Sequence, residues 1–271
     1  PLHWSEERGK YAWETPRSTF RIIIRVDLRN IKSPFNMLSK NLRSWPLCLA
    51  LFLTLVVTQT PAYGRGLEIG ALKVPDGFQL IYSDLPTDPH HGWRYLRASP
   101  DGALLIAIGQ PCNICNLDDP RYGTLLKISA DGKHTETLAR GFRNSVGFDY
   151  EPGTQSLWAS DNGRDWLGDN SPPDELNRID RPGLHFGFPY CFGTDLRDPQ
   201  YGHLMTCDQL TPPAFEFQAH VAPLGIRFYT GKQFPAKFHN QLFVAQHGSW
   251  NRSQPVGYRV SSIRIKDGKA L

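Results

Sequence analysis

Three stretches of the chain repeat one phrase, a strand, a tight turn and a second strand that empties into a polar loop. Residues 95–109 read YLRASPDGALLIAIG, residues 146–163 read VGFDYEPGTQSLWASDNG, and residues 224–248 read LGIRFYTGKQFPAKFHNQLFVAQHG. A third strand-like run follows each copy, at residues 123–129, 175–179 and 257–265. Asp-Gly turns at Asp131-Gly132 and Asp267-Gly268 then lead into a further short strand. Asp-Gly between alternating apolar runs is a strong hairpin signal. Hairpin units recurring at roughly 50 residues predict the blades of a β-propeller, an all-β fold. An immunoglobulin-like sandwich is the alternative, but it leaves the polar cluster after each second strand without a reason.

The spacing between copies is uneven, and the excess lies in a Pro-, Gly- and Cys-rich segment at residues 181–213. That segment reads as an insertion on the functional face. About 207 residues follow position 64, fewer strands than a closed ring takes. The expectation is an incomplete propeller over residues 65–271, with the last blade missing.

The N-terminal part has a different character. Residues 1–36 contain no Met and fit nothing downstream, so they read as a non-native upstream extension. Met37 opens a second segment with Lys40 and Arg43, an apolar run at residues 47–57, and Ala62-Tyr63-Gly64. Charged start, short apolar middle and small-x-small end predict a signal peptide over residues 37–64. The apolar run is short for a bilayer span. The alternative is a genuine extension with a membrane anchor. With a signal peptide, the mature chain is periplasmic or secreted and has no stable membrane insertion. Residues 1–64 hold nine of the 30 Lys and Arg and four of the 26 Asp and Glu, which leaves 21 basic against 22 acidic residues. That balance has no basic stripe for nucleic acid.

Four cysteines follow position 64: Cys112, Cys115, Cys191 and Cys207. In an exported chain an even count predicts two disulfides, with three connectivities open; Cys191–Cys207, which closes a Gly- and Asp-rich loop, is the favoured structural bridge, and Cys112–Cys115 a candidate tight local one. A four-cysteine zinc site is the rival; it lacks a second close pair.

The polar clusters fall at strand ends: Pro89-His90-His91-Gly92-Trp93-Arg94, Arg143-Asn144, residues 161–175, and His247-Gly248-Ser249-Trp250-Asn251-Arg252. On a propeller such ends gather around one mouth. The phrases HHGWRYLRASPDG, ARGFRNSVGFD, DNGRDWLGDNSPPDELNR, HFGFPYC, HVAPLGIRFY and HGSWNRSQPVGYRV resemble the glucose/sorbosone dehydrogenase family over roughly residues 72–265. The resemblance implies a six-bladed propeller, a small sugar substrate, and the cofactors pyrroloquinoline quinone (PQQ) and Ca²⁺. The electron acceptor stays open.

Carried over residue by residue, the resemblance makes His90 the catalytic base, with His91 the adjacent fallback; imidazole titrates near neutrality. It makes Arg143 and Asn144 the pair that hydrogen-bonds the quinone, the guanidinium stabilising charge that builds on a quinone oxygen. The bland reading of Arg143 is an Arg–Asp bridge at a blade edge. Asn162 falls at the amide of the cofactor step, and the main-chain carbonyls of Gly163 and Arg164 at the Ca²⁺ ligands, oxygen donors that suit the metal. Asp161, Asp165, Asp169, Asp174 and Glu175 are candidates for direct ligation or for turn capping. Trp250 and Arg252 fall at stacking and basic contacts to the cofactor; plain packing is the alternative for Trp250. Gln110 stands where the soluble glucose enzymes carry an Asp that orients the His, a neutral substitute for a charged one. The family's C-terminal arginine contacts have no counterpart before Leu271.

Overall fold

The computed structural model describes residues 80–271, within which residues 84–271 form one compact unit. The upstream extension, the signal peptide and the first residues of the expected propeller domain lie outside the described residues.

Four antiparallel strands form the first sheet in sequence order: β1 (Leu96–Ala98), β2 (Leu104–Ile108), β3 (Thr124–Ile128) and β4 (Thr135–Arg140). The second begins with β5 (Gly147–Tyr150), β6 (Leu157–Asp161) and β7 (Asp174–Ile179). Before its fourth strand arrives, the chain makes the short pieces β8 (Leu184–His185), β9 (Cys191–Phe192) and β10 (Leu196–Arg197). Then β11 (Phe215–Phe217) pairs with β7 and completes the second sheet. The third holds β12 (Pro223–Phe228), β13 (Leu242–Gln246) and β14 (Arg259–Ile263), followed by a hairpin of β15 (Ile265–Lys266) and β16 (Lys269–Ala270). The predicted hairpins and the insertion at residues 181–213 are all present. The insertion adds one feature the pattern does not signal: β8 joins the first sheet in parallel beside β4.

The period-2 alternation of β6 explains how the sheets stack. Leu157 and Ala159 face a cluster with Leu105, Leu125, Phe142 and Phe148, whereas Trp158 points the other way. There it packs with Leu176, Ile226, Phe228, Leu242 and Val244. The second sheet is therefore buried on both faces along β6 and most of β7, polar residues included. Gly147 shows how closely sheets two and three approach: a Cβ there would lie 2.1 Å from the Leu224 carbonyl oxygen. Ser160 stitches the same seam, donating its hydroxyl to Leu224 O at 2.7 Å.

Both expected disulfides are formed, Cys112–Cys115 and Cys191–Cys207. With all four cysteines paired, the zinc alternative falls away. Among the described residues no helix is long and apolar enough to cross a membrane.

Candidate functional site

Strand direction decides where the polar clusters go. β2, β6 and β13 end on one rim; β5, β7 and β12 begin there. Gln110, Arg143-Asn144, Asp161 to Arg164, Asp174, His220 and Ser249 all lie just beyond those ends.

Arg143 is at the centre, only 4% exposed. Its Nε donates to Asn113 O at 2.8 Å, and its Nη2 to Asn113 Oδ1 and Asp165 Oδ2, each at 2.8 Å. Its Nη1 reaches only Asn162 O, at 3.4 Å. Burial lowers the guanidinium's pKa, while Asp165, Asp161 and Asp174 act to raise it. The Arg–Asp bridge considered from sequence exists, and it leaves one guanidinium nitrogen lightly used.

Four of the acidic residues of the 161–175 loop serve as main-chain caps, and the fifth, Asp165, is the partner of Arg143. Asp161 accepts from the Arg143 and Asn144 amides at 2.9 and 2.8 Å. Asp174 accepts from Gly163 N and Ala222 N, both at 2.8 Å. Asp169 is held by Ser253, whose amide donates to it at 3.0 Å. Glu175 accepts from Gly193 N at 2.7 Å and Asn177 Nδ2 at 3.1 Å. Each carboxylate is occupied, and among the described residues no three His, Cys, Asp or Glu side chains converge as metal ligands. In this structure these side chains serve as hydrogen-bond acceptors, and the main-chain oxygens of Gly163 and Arg164 are of a donor type that Ca²⁺ accepts. The Arg164 side chain is itself turned aside, onto buried Asp198 at 2.5 Å.

Burial pushes three of these acids upward: Asp161 to about 7, Asp174 to about 6 and Glu175 to about 8. For Glu175 the Asp161 and Glu216 charges add to burial, while bonds from Asn177 and Gly193 oppose it. A carboxyl whose folded pKa is raised keeps its proton in the native state after the unfolded chain has lost it, so stability falls from the unfolded value up to the folded value and is level above it. Thermal stability is expected to decline from about pH 4, the ordinary carboxyl range, to about pH 8 and to level off beyond. Glu175→Gln should flatten that slope, measured as Tm against pH; an unchanged slope contradicts the assignment.

The two adjacent histidines differ. His90 is exposed, whereas His91 is half-buried, its ring 4.0 Å from that of His90. His91 Nδ1 lies 2.8 Å from the Gln110 carbonyl oxygen. A carbonyl only accepts, so Nδ1 carries the proton and Nε2 keeps a lone pair. Burial, Arg143 and His90 push the His91 pKa down to about 3. Gln110 orients this ring through its main chain, and its side-chain Nε2 sits against Gly123. The identity of the side chain at position 110, which draws attention in the sequence, is not what holds the imidazole.

Asn144 and Asn162 adjoin through the Asn144 carbonyl, which accepts from the Asn162 amide and side chain, both at 3.2 Å. Trp250 is 67% exposed and meets equally exposed Trp166 edge-on, with ring centroids 5.1 Å apart. Arg252 clasps the loop beneath Trp166, donating to Asp169 O and to Asn170 Oδ1. His220 Nε2 supports the same loop, 2.8 Å from Gly168 O. His220 and Trp166 lie within phrases that the sequence singles out, whereas Asn113 is a rim residue without a sequence signal of its own. Asn113 lies between two cysteines, where the spacing points to the bridge and not to its contents.

Orphaned buried polar atoms gather on this rim: Gln110 Oε1, Ser145 Oγ, Asn162 Oδ1, both ends of the Asn251 amide, and Arg252 Nε. Buried polar groups normally have partners, so such a cluster fits a polar ligand. A planar polycarboxylate such as PQQ matches the donors and the Arg143 edge; the carbonyl oxygens match Ca²⁺.

Blade-like antiparallel sheets with a polar rim at their ends make an all-β fold of propeller type. Residues 200–270 match the family model described as TrAA12-like. The fold is shared with the calcium structure of a Trichoderma reesei carbohydrate-active enzyme of family AA12, at 21% identity, TM-score 0.57, 65% of this chain and 54% of that one. It is shared also with the holo form of the pyranose dehydrogenase PQQ domain from Coprinopsis cinerea, at 17% identity, TM-score 0.55, 70% of this chain and 56% of that one. An uncharacterized protein of Borreliella burgdorferi is 44% identical over 179 residues, 65% of this chain and 46% of that one. The chain spans about half the length of the relatives it matches. The family-model match is confined to residues 200–270, and the two solved structures share the all-β fold at 17–21% identity.

Proposed function

We propose that this chain is the propeller of an exported quinoprotein dehydrogenase that oxidises an aldose or sorbosone-type sugar. The observation that carries the reading is Arg143, a buried cation whose Nη1 side is left for an anionic ligand on a rim of orphaned polar groups. In this reading Arg143, Asn144, Asn162, Trp250 and Arg252 hold PQQ, the Gly163 and Arg164 carbonyls hold Ca²⁺, and the ring is six-bladed. PQQ held there would supply a two-electron acceptor for the hydride released from the sugar's hydroxyl-bearing carbon.

The chain's own residues do the rest. His90 takes the hydroxyl proton, so that proton and hydride leave together as the carbonyl forms. His91 stands beside it as a fixed neutral ring and carries the fallback role. Arg143 needs no reorganisation as negative charge grows near it, because its Asn113 and Asp165 partners already fix it.

The test is reconstitution with PQQ and Ca²⁺, then aldoses and a dye acceptor. Dye reduction is expected, reduced about 10²–10⁴-fold by His90→Ala. If His91→Ala abolishes it instead, the base moves one position. Sugar binding without turnover makes the chain a binding propeller, and lactone hydrolysis without PQQ makes it a metal-dependent lactonase. Either result overturns the dehydrogenase.

A further inference from the structure

Arg143 has two edges, and the chain has consumed one of them. The Nε–Nη2 edge meets Asn113 twice, through the main-chain oxygen and through Oδ1, and Asp165 once. Asn113 uses its remaining capacity on the same partner loop. Its Oδ1 also accepts from Asp165 N at 2.8 Å, and its Nδ2 donates to Asp165 O at 3.2 Å. One asparagine therefore fastens the β2–β3 loop, the segment before β5 and the β6–β7 loop at a single point.

Asn113 does not hold that position alone. It sits inside the ring closed by Cys112–Cys115, whose Cα atoms lie 6.2 Å apart. A ring that tight removes most of the backbone freedom that an unbridged loop would lose on docking. The bridge is too short to stabilise the whole fold much, since loop-closure entropy grows with loop length. Its effect is local, on the presentation of Asn113.

We propose that Asn113, braced by the Cys112–Cys115 bridge, is a positioning residue that selects which edge of Arg143 faces the rim. By occupying Nε and Nη2 it turns the Nη1 side toward Asn162 and toward whatever anion the rim receives. This deepens the quinoprotein reading, on which the identity of that anion rests. The bracket itself is a property of the chain.

Two measurements separate the proposal from that reading. Phenylglyoxal modifies accessible guanidinium groups, and mass spectrometry reads each arginine separately, with exposed Arg181 as internal reference. In the wild type Arg143 should be protected. Asn113→Ala should raise its labelling at least about tenfold relative to Arg181, and Cys112→Ser/Cys115→Ser should raise it less. Asn113→Asp keeps the Oδ1 acceptor and should restore protection. Equilibrium dialysis of PQQ in the presence of Ca²⁺ then reports affinity, expected to weaken about tenfold in Asn113→Ala and to recover in Asn113→Asp. Labelling of Arg143 that is the same in Asn113→Ala as in the wild type overturns the bracket, whatever PQQ does. If the wild type fails to bind PQQ while the labelling pattern holds, the quinoprotein reading fails and the bracket stands.

Discussion

Replacing Arg143 with methionine should lower unfolding stability by about 3–5 kcal/mol and cut PQQ-dependent turnover by about 10²–10³-fold. Both effects have one origin. The guanidinium is buried against Asp165, whose side chain is 16% exposed, and removing one partner of such a pair strands the other charge. Asn113 would lose both of its arginine donors at the same time. Arg143→Lys is the informative control. It restores charge but cannot supply Nε and Nη2 together to Asn113, so stability should recover more than turnover. Urea denaturation measures the first quantity and steady-state dye reduction the second. Full turnover in Arg143→Met would remove the guanidinium from the chemistry.

The second large effect is expected far from the rim, at Asp149. This side chain is 2% exposed and joins all three sheets. Its Oδ1 is 2.5 Å from Arg97 of β1, and its Oδ2 accepts from Phe228 N of β12 at 2.8 Å. Asp149→Ala leaves a mostly buried arginine and a buried amide without their acceptor, and should cost about 3–5 kcal/mol. At roughly 2–4 °C per kcal/mol for a domain of this size, Tm should fall by about 6–20 °C. Arg227 also approaches Asp149, at 3.7 Å, but its side chain is 64% exposed. Arg227→Ala should therefore change stability by no more than about 1 kcal/mol. Equal losses from the two variants would mean that burial is not what makes Asp149 important.

Asp149 also marks the limit of what the sequence makes legible. In GFDY it looks like a polar interruption of an apolar strand; its partners come from Arg97 of β1 and from β12, some 79 residues later in the chain. The strands themselves are legible because alternation and turn chemistry are local. Asp-Gly hairpins, the runs around Leu105 and Trp158, and the inserted segment all follow from spacing. The convergence of Arg143, Asn162 and Asp174 follows from strand direction once hairpins are assumed. Side-chain commitments are different. A row of Asp and Glu suggests metal ligands; in the structure Asp161, Asp174 and Glu175 accept from main-chain amides, and Asp165 pairs with Arg143. Gln110 suggests an amide orienting a histidine, and its main-chain carbonyl does so. Such choices depend on distances between segments remote in sequence, which composition and periodicity do not encode.

Equilibrium dialysis of PQQ with and without Ca²⁺, on the wild type and on Arg143→Met, tests the central claim most directly. Saturable binding that needs Ca²⁺ and weakens at least tenfold in the variant is the predicted result. Binding of equal strength to both proteins, or none to the wild type, would contradict a quinone site built on Arg143.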